Sequence, residues 1–241
     1  MATSTHSALA AFETGRPGRE LTLTNARIIV PDGEIFGSIC LRNGRISDIS
    51  TTPMRAKRAL DLDGDYLVPG LVDLHTDNLE RHFTPKPGIS WPSIPAVIAH
   101  DSEIVSAGIT TVFDALTLSA TTDLKARRMP FADILDSLLV ASSSNILRSD
   151  HRLHIRCETT EPQIIDLFER YAGMPLTNFV SILDRPPGQQ KYGDSRALKE
   201  QSRTRGNDKR ATLAQLALER GLPVASHDDA TEAQIEEANS L

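Results

Sequence analysis

A histidine and an aspartate two residues apart, His75 and Asp77, end a mostly apolar run in the segment 68–78. In a β-strand, residues i and i+2 point to the same side, so both side chains would face one way. An imidazole and a carboxylate in this arrangement can chelate a divalent metal ion. The alternative interpretation is a polar strand end whose side chains make ordinary hydrogen bonds. The first interpretation makes the pair the anchor of a metal centre.

Short apolar or β-branched runs alternate with stretches of helical periodicity after residue 67. The predicted strands are LVDLH, ITTVFDAL, HRLHIRCE, FVSILD and LPVASHD, and the predicted helices cover residues 96–107, 130–147, 161–171 and 208–220. This alternation implies parallel strands joined by right-handed crossovers. Polar residues cluster where the strands end, which favours an α/β barrel over a doubly wound sheet. His100 and Asp101 fall within the first predicted helix and are expected to be ordinary helix residues.

The number of predicted strands and the end of the sequence indicate whether the barrel is complete. Five barrel strands can be counted, whereas a closed (β/α)8 barrel of the TIM type has eight. The sequence also ends at Leu241 within a helical pattern. We therefore expect an incomplete barrel over residues 67–241, in a truncated or partial protein.

The segment before the barrel has the pattern of a small β-sandwich domain, over residues 21–66. Residues 31–33 (Pro-Asp-Gly) predict a turn, and Asn43-Gly44 between alternating residues predicts a hairpin. The run ALDLDGDYLV predicts one further strand. Residues 1–20 have neither a charged start nor an apolar run, so we expect a disordered leader and not a secretion signal.

The overall composition excludes several functional classes. The 241 residues are 39% hydrophobic and 24% charged, with a net charge of −6, so no basic excess exists for binding nucleic acid or an anionic membrane. No apolar run is long enough for a transmembrane helix. The two cysteines, Cys40 and Cys157, lie far apart in unrelated patterns, which favours a reducing cytoplasm over a disulfide framework. A homo-oligomer stays possible.

A family resemblance is carried by the segments TNARIIVPDGEIFGSICLRNGRISDIS, DYLVPGLVDLHTDN and AGITTVFDAL, which are similar to the amidohydrolase superfamily. More narrowly, HTDNLERH, HIRCE, LDRPPGQQKYGD and ASHDDAT resemble its phosphonate-metabolism branch, from about residue 21 to residue 241. The resemblance implies a metal-dependent hydrolase barrel preceded by a small β-domain. It also implies cleavage of a ribose 5-triphosphate that carries a methylphosphonate, with release of pyrophosphate. The implied substrate is a small phosphorylated anion.

The same resemblance implies a ligand set for the metal. It places His75 and Asp77 on the first barrel strand, Glu158 as a bridging carboxylate and His227 as a histidine of a later strand. Glu158 and His227 both fall where a predicted strand meets a loop. This set of donors suits one or two divalent ions, of zinc, manganese or magnesium.

The chain departs from the branch at Arg185, where the branch usually has a histidine. Arginine does not coordinate metals, so the second metal position is weakened or lost unless Asp184 substitutes. Alternatively, Arg185 binds a phosphate through its fork of donors. Asp228 is expected to orient the imidazole of His227. The acid that the superfamily uses on its last strand would lie beyond Leu241, so no catalytic residue is assigned.

Substrate contacts are expected from Asn78, Arg81 and Lys191. The two cations are expected because a triphosphate needs several positive charges. The alternative for each cation is a solvated surface position. For Glu158 the alternative is a salt bridge with Arg152 or Arg156. Two other functions stay open at this point: an amidohydrolase acting on a cyclic amide or N-acyl substrate, and an inactive fragment.

Overall fold

The computed structural model describes residues 20–55, 59–118, 130–183 and 196–227, with the backbone only for 196–207 and 226–227. The chain divides into two compact units between Pro69 and Gly70. Within the described ranges, no helix is both long enough and apolar enough to cross a membrane.

The N-terminal unit contains one mixed sheet of five strands, in the order β3-β2-β1-β4, with β5 also paired to β1. The strands are β1 (Glu20–Val30), β2 (Gly33–Arg42), β3 (Arg45–Ser50), β4 (Leu60–Asp61) and β5 (Tyr66–Leu67). The first three strands pair antiparallel, and the two short strands run parallel to β1. A small apolar core of Ala26, Ile28 and Ile39 forms on one side of the sheet.

Two left-handed turns shape this sheet. Asn43 and Gly44 have φ angles of 53° and 73°, so they form the tight turn of the predicted β2–β3 hairpin, which is confirmed. Asp63 and Gly64 also have positive φ angles, of 52° and 84°. This second turn divides the single strand predicted for ALDLDGDYLV into β4 and β5.

The C-terminal unit alternates strands and helices, as its sequence pattern predicts. Its elements are β6 (Leu71–Thr76), α1 (Asn78–Phe83), α2 (Ser93–Ser106), β7 (Ile109–Thr117), α3 (Phe131–Ser143), β8 (Asp150–Glu158), α4 (Ile164–Tyr171), β9 (Thr177–Leu183), α5 (Arg196–Glu219) and β10 (Val224–His227). The five strands are all parallel, and their spatial order follows their order in the chain. A doubly wound sheet would reverse its strand order at a switch point. The predicted incomplete barrel is therefore confirmed.

The two faces of this sheet have different compositions. Along β8, Leu153, Ile155 and Cys157 are fully buried and pack with apolar residues of the helices, such as Phe131 and Ile134 of α3. We call this the helix-side face. Because side chains alternate along a strand, the residues between them lie on the opposite side, which we call the inner face.

The largest differences between the predicted and the observed helices are at two places. Helix α1 was not predicted, because its six residues are too few to show a period. Helix α5 begins at Arg196, twelve residues before the predicted start at 208, in a polar stretch that has no apolar stripe.

Candidate metal centre

His75 and Asp77 lie together at the carboxyl end of β6. Their side chains are 48% and 58% exposed, and His75 Nε2 lies 3.4 Å from Asp77 Oδ1. Two ligand atoms bound tetrahedrally to one ion, each about 2.0–2.1 Å from it, would lie about 3.3 Å apart. The backbone N–H of His75 also donates to Asp73 Oδ1, at 3.0 Å, which holds the strand end in place. The spacing and exposure of the pair fit a single metal ion, and its role as a ligand pair stays a prediction.

Arg156 contacts this pair, although the sequence suggested it only as a partner for Glu158. Its Nη1 donates to Asp77 Oδ1 at 2.6 Å, and its side chain is 11% exposed. Arg152, the other suggested partner of Glu158, pairs instead with Asp150 at 2.8 Å. The Arg156 contact falls on Oδ1, the same oxygen that lies 3.4 Å from His75 Nε2, so an ion bound by both residues would either share Oδ1 with Arg156 or use Oδ2.

Glu158 and His227 lie at the same level of the sheet. Glu158 is the last residue of β8 and His227 the last of β10, and both are in register with Leu183, the last residue of β9 between them. The carboxyl ends of parallel strands therefore bring these two predicted ligands to one edge, the edge at which barrels place their sites.

Asn78 and Arg81 lie next to the pair, at the start of α1. The backbone N–H of Asn78 donates to Thr76 Oγ1, and Arg81 Nη2 donates to Asn78 Oδ1 at 2.5 Å. The remaining predicted site residues, Asp184, Arg185, Lys191 and Asp228, lie outside the described residues.

His154 is a further inner-face residue that was not predicted. It is buried, and its ring lies 5.0 Å from the ring of His75 and 4.5 Å from that of Phe179, edge-on in both cases. A sequence signal was available: in HRLHIRCE, polar Arg152, His154, Arg156 and Glu158 alternate with apolar residues. Polar residues at every second position of a barrel strand indicate a polar inner face.

A second cluster of histidines and aspartates lies on the helix-side face. Ligand atoms of His100, Asp114 and His151 lie within 4.8 Å of one another, so they could hold a metal ion. All three side chains are fully buried. Asp114 contacts His100 Nε2 through Oδ1 and His151 Nδ1 through Oδ2, both at 2.7 Å. His100 is therefore not the ordinary helix residue that the sequence suggested.

Asp101, also expected to be an ordinary helix residue, completes this cluster. Its Oδ1 lies 3.2 Å from His151 Nε2 and accepts the backbone N–H groups of Arg148 and Ser149, both at 3.0 Å. Both ring nitrogens of His151 thus face carboxylate oxygens. A doubly protonated imidazolium satisfies both contacts, because each nitrogen then donates.

The pKa shifts of the cluster agree with this protonation. Burial would lower the pKa of His151, but the hydrogen bonds and charges of Asp114 and Asp101 outweigh it and raise that pKa. Burial would likewise raise the pKa of Asp114, but the hydrogen bonds from His100 and His151 outweigh it and lower that pKa. Without a metal ion, these directions favour a protonated His151 and an ionised Asp114.

Solved structures share the fold of this chain. The 5-methylcytosine deaminase from Klebsiella pneumoniae superimposes with a TM-score of 0.60 at 16% identity, over 91% of this chain and 54% of that one. A D-hydantoinase gives a TM-score of 0.50 at 14% identity, over 92% and 43% of the two chains. At these identities the likeness establishes the fold alone: a barrel with an N-terminal sheet domain.

Sequence comparison shows similarity to one particular enzyme. The chain is 29% identical, over 243 aligned positions, to α-D-ribose 1-methylphosphonate 5-triphosphate diphosphatase of Escherichia coli K12. The match covers 92% of this chain and 64% of the length of that protein. An adenine deaminase of Listeria monocytogenes is 36% identical over 77 residues, which is 31% of this chain and 13% of that protein. No protein-family model matches the chain. The predicted resemblance to the phosphonate-metabolism branch is confirmed.

Proposed function

We propose that this chain carries the metal-binding part of a hydrolase that releases pyrophosphate from a phosphonate-bearing ribose 5-triphosphate in organophosphonate breakdown. The similarity to the Escherichia coli diphosphatase over 92% of the chain carries the proposal. Because the chain spans 64% of the length of that protein, the activity of the whole protein is itself part of the proposal.

In the proposed function, the site residues bind the metal ion or contact its ligands. His75 and Asp77 would hold a divalent ion, with Glu158 and His227 at the same edge of the barrel. When bound, such an ion lowers the pKa of a bound water and offsets charge on the attacked phosphoryl group. The ring of His154 packs edge-on against the ring of His75.

The expected substrate is a small phosphorylated anion, whereas the chain as a whole carries a net charge of −6. Positive charge must therefore be concentrated at the site. Two arginines supply it among the described residues: Arg156 contacts Asp77, and the exposed Arg81 lies one turn into α1. Arg185 and Lys191 are predicted to add to it.

The test compares two exposed aspartates that each pair with an arginine. Asp77 pairs with Arg156 at 2.6 Å at the carboxyl end of the barrel, and Asp150 pairs with Arg152 at 2.8 Å at the start of β8. We expect Asp77→Asn to weaken Mn²⁺ binding at least about tenfold and to abolish pyrophosphate release. Asp150→Asn should leave both unchanged. Wild-type metal content and turnover in Asp77→Asn would exclude the site.

A second candidate function is hydrolysis of a carbon–nitrogen bond in a cyclic amide or a nucleobase. The similarity to an adenine deaminase over 77 residues favours it for that segment. The two candidates require different substrates, because a triphosphate needs a cationic pocket and a nucleobase does not. Assaying the protein with both substrate classes, each with Mn²⁺ and with EDTA, distinguishes them.

A further inference from the structure

Two buried polar groups lie side by side on the inner face, and among the described residues neither has a hydrogen-bond partner. They are Nε of Arg156 on β8 and Oγ of Ser181 on β9. Arg156 and Ser181 are register partners in the parallel pair, so their side chains project from neighbouring positions. Buried polar groups in proteins are nearly always hydrogen-bonded, and each exception calls for an explanation such as a bound ligand or ion.

The chemistry of the two groups defines what they can bind. A guanidinium presents its N–H groups in a planar fork and accepts nothing, and a serine hydroxyl can also donate. One end of the Arg156 fork is engaged, since Nη1 donates to Asp77. Nε of the same fork has no hydrogen-bond partner in the part of the chain that the structure describes. A guanidinium edge beside a hydroxyl favours an oxyanion, and it excludes a metal ion.

We propose that Arg156 and Ser181 form an oxyanion site that receives a phosphoryl group next to Asp77. The identity of the anion rests on the proposed function, whereas the anion binding itself does not. The Asp77 carboxylate is 58% exposed, so this end of the site opens to solvent at the rim of the barrel. The negative charge of Asp77 opposes an incoming anion, and a divalent ion on Asp77 would cancel that opposition.

This arrangement couples anion binding to metal binding. By linkage, a metal ion that tightens phosphate binding must itself be tightened by phosphate to the same degree. Arg156 also contributes a full positive charge from a largely buried position, where charges are screened less than at the surface. Arg156 is therefore a substrate-binding residue in this proposal, and Ser181 supplies a second donor.

The experiment is calorimetric titration of the full chain with inorganic phosphate, in EDTA and in Mg²⁺. Arg156→Gln is expected to weaken phosphate binding by about 10- to 100-fold, since it removes hydrogen bonds from a charged donor. Ser181→Ala should weaken it by about three- to tenfold. Arg152→Gln and Ser137→Ala are matched controls: an arginine of the same strand paired with Asp150, and a buried serine bonded within α3.

Equal phosphate affinities in the wild type, Arg156→Gln and Ser181→Ala would overturn the proposal, and so would an absence of phosphate binding to the wild type. Ser181→Ala removes a single hydroxyl group and should fold normally, so the test does not depend on the arginine variant. Phosphate should also raise the melting temperature of the wild type and not that of Arg156→Gln. If the variants lose phosphate binding and the wild type releases no pyrophosphate, the oxyanion site is supported and only the proposed function is contradicted.

Discussion

Two sets of histidines and aspartates lie on opposite faces of the same parallel sheet. The inner-face pair is His75 and Asp77, at the carboxyl end of β6. The helix-side network is the group His100, Asp101, Asp114 and His151, which joins α2 to β7 and β8. By residue type, either set could bind a metal ion.

The two sets differ in exposure and in the partners of their carboxylates. The side chains of the inner-face pair are about half exposed, and Asp77 has one oxygen engaged by Arg156. The helix-side network is buried, and His151 is enclosed between two carboxylates. A metal ion can join the first set without breaking it, but it must displace protons from the second. Burial and the pairing of both Asp114 oxygens with histidines therefore distinguish a set that we propose for metal binding from one that we expect to stabilise the fold.

The largest expected effect is on folding, from Asp114→Ala in the helix-side network. The change leaves the imidazolium of His151 buried with one carboxylate removed and deprives His100 of its partner. Breaking a buried ion pair in this way costs about 3–5 kcal/mol of unfolding free energy. Urea denaturation followed by circular dichroism measures it.

The control is Asp150→Ala, which removes an exposed aspartate paired with Arg152. Exposed pairs contribute about 0–1 kcal/mol, so this variant should unfold almost as the wild type does. If Asp114→Ala lost no more than the control, the helix-side network would not be a stabilising element.

The next effect separates the two sets by their response to metal. At a Mn²⁺ concentration 100 times the dissociation constant, a site that exists only in the folded state adds about 2.7 kcal/mol of stability. His75→Ala should lose this increment, and His151→Gln should keep it while being less stable at the start. Thermal unfolding with and without Mn²⁺ measures both. A lost increment in His151→Gln with a retained one in His75→Ala would reverse the assignment of the two sets.

A smaller effect is expected from pH, because a neutral His151 still keeps part of its hydrogen bonding. The pKa of His151 is raised, so its contribution to stability is complete below its ordinary value of 6.5 and is lost as pH rises through the raised value. The pKa of Asp114 is lowered, so its contribution is complete above its ordinary value of 3.8 and is lost as pH falls through the lowered value. The network therefore contributes most between these limits.

Unfolding midpoints measured in urea at a series of pH values test this window. His151→Gln should remove the decline on the alkaline side, because glutamine does not titrate. His75→Ala should leave that decline in place. An unchanged alkaline decline in His151→Gln would assign it to another group.

Much of the fold could be predicted because its signals are local. Short apolar or β-branched runs between helical stretches predicted the five described barrel strands, and Asn43-Gly44 predicted its hairpin. The pairing of His75 with Asp77 also follows from strand geometry, since i and i+2 share a side. Helix α1 and the early start of α5 could not be predicted, because one is too short and the other too polar to show a period.

The partners of the site residues could not be predicted, because they come from distant parts of the chain. Asp77 and Arg156 are 79 residues apart, and Asp101 and His151 are 50 residues apart. Nothing local marks His100 and Asp101 as buried. A helical pattern does not show which of its polar residues will pair with side chains of a neighbouring strand. The polar alternation of β8 did mark Arg156 as an inner-face residue, but not its contact with Asp77.

The smallest expected effect is the change in stability caused by Asp77→Asn. Its amide oxygen can still accept the hydrogen bond from Arg156, and the side chain is more than half exposed. We therefore expect the unfolding free energy to change by no more than about 1 kcal/mol without metal, although metal binding is lost. The same urea titration as for Asp114→Ala measures it, in EDTA. A loss as large as that of Asp114→Ala would mean that the Asp77–Arg156 contact supports folding, and the two faces would then not differ in role.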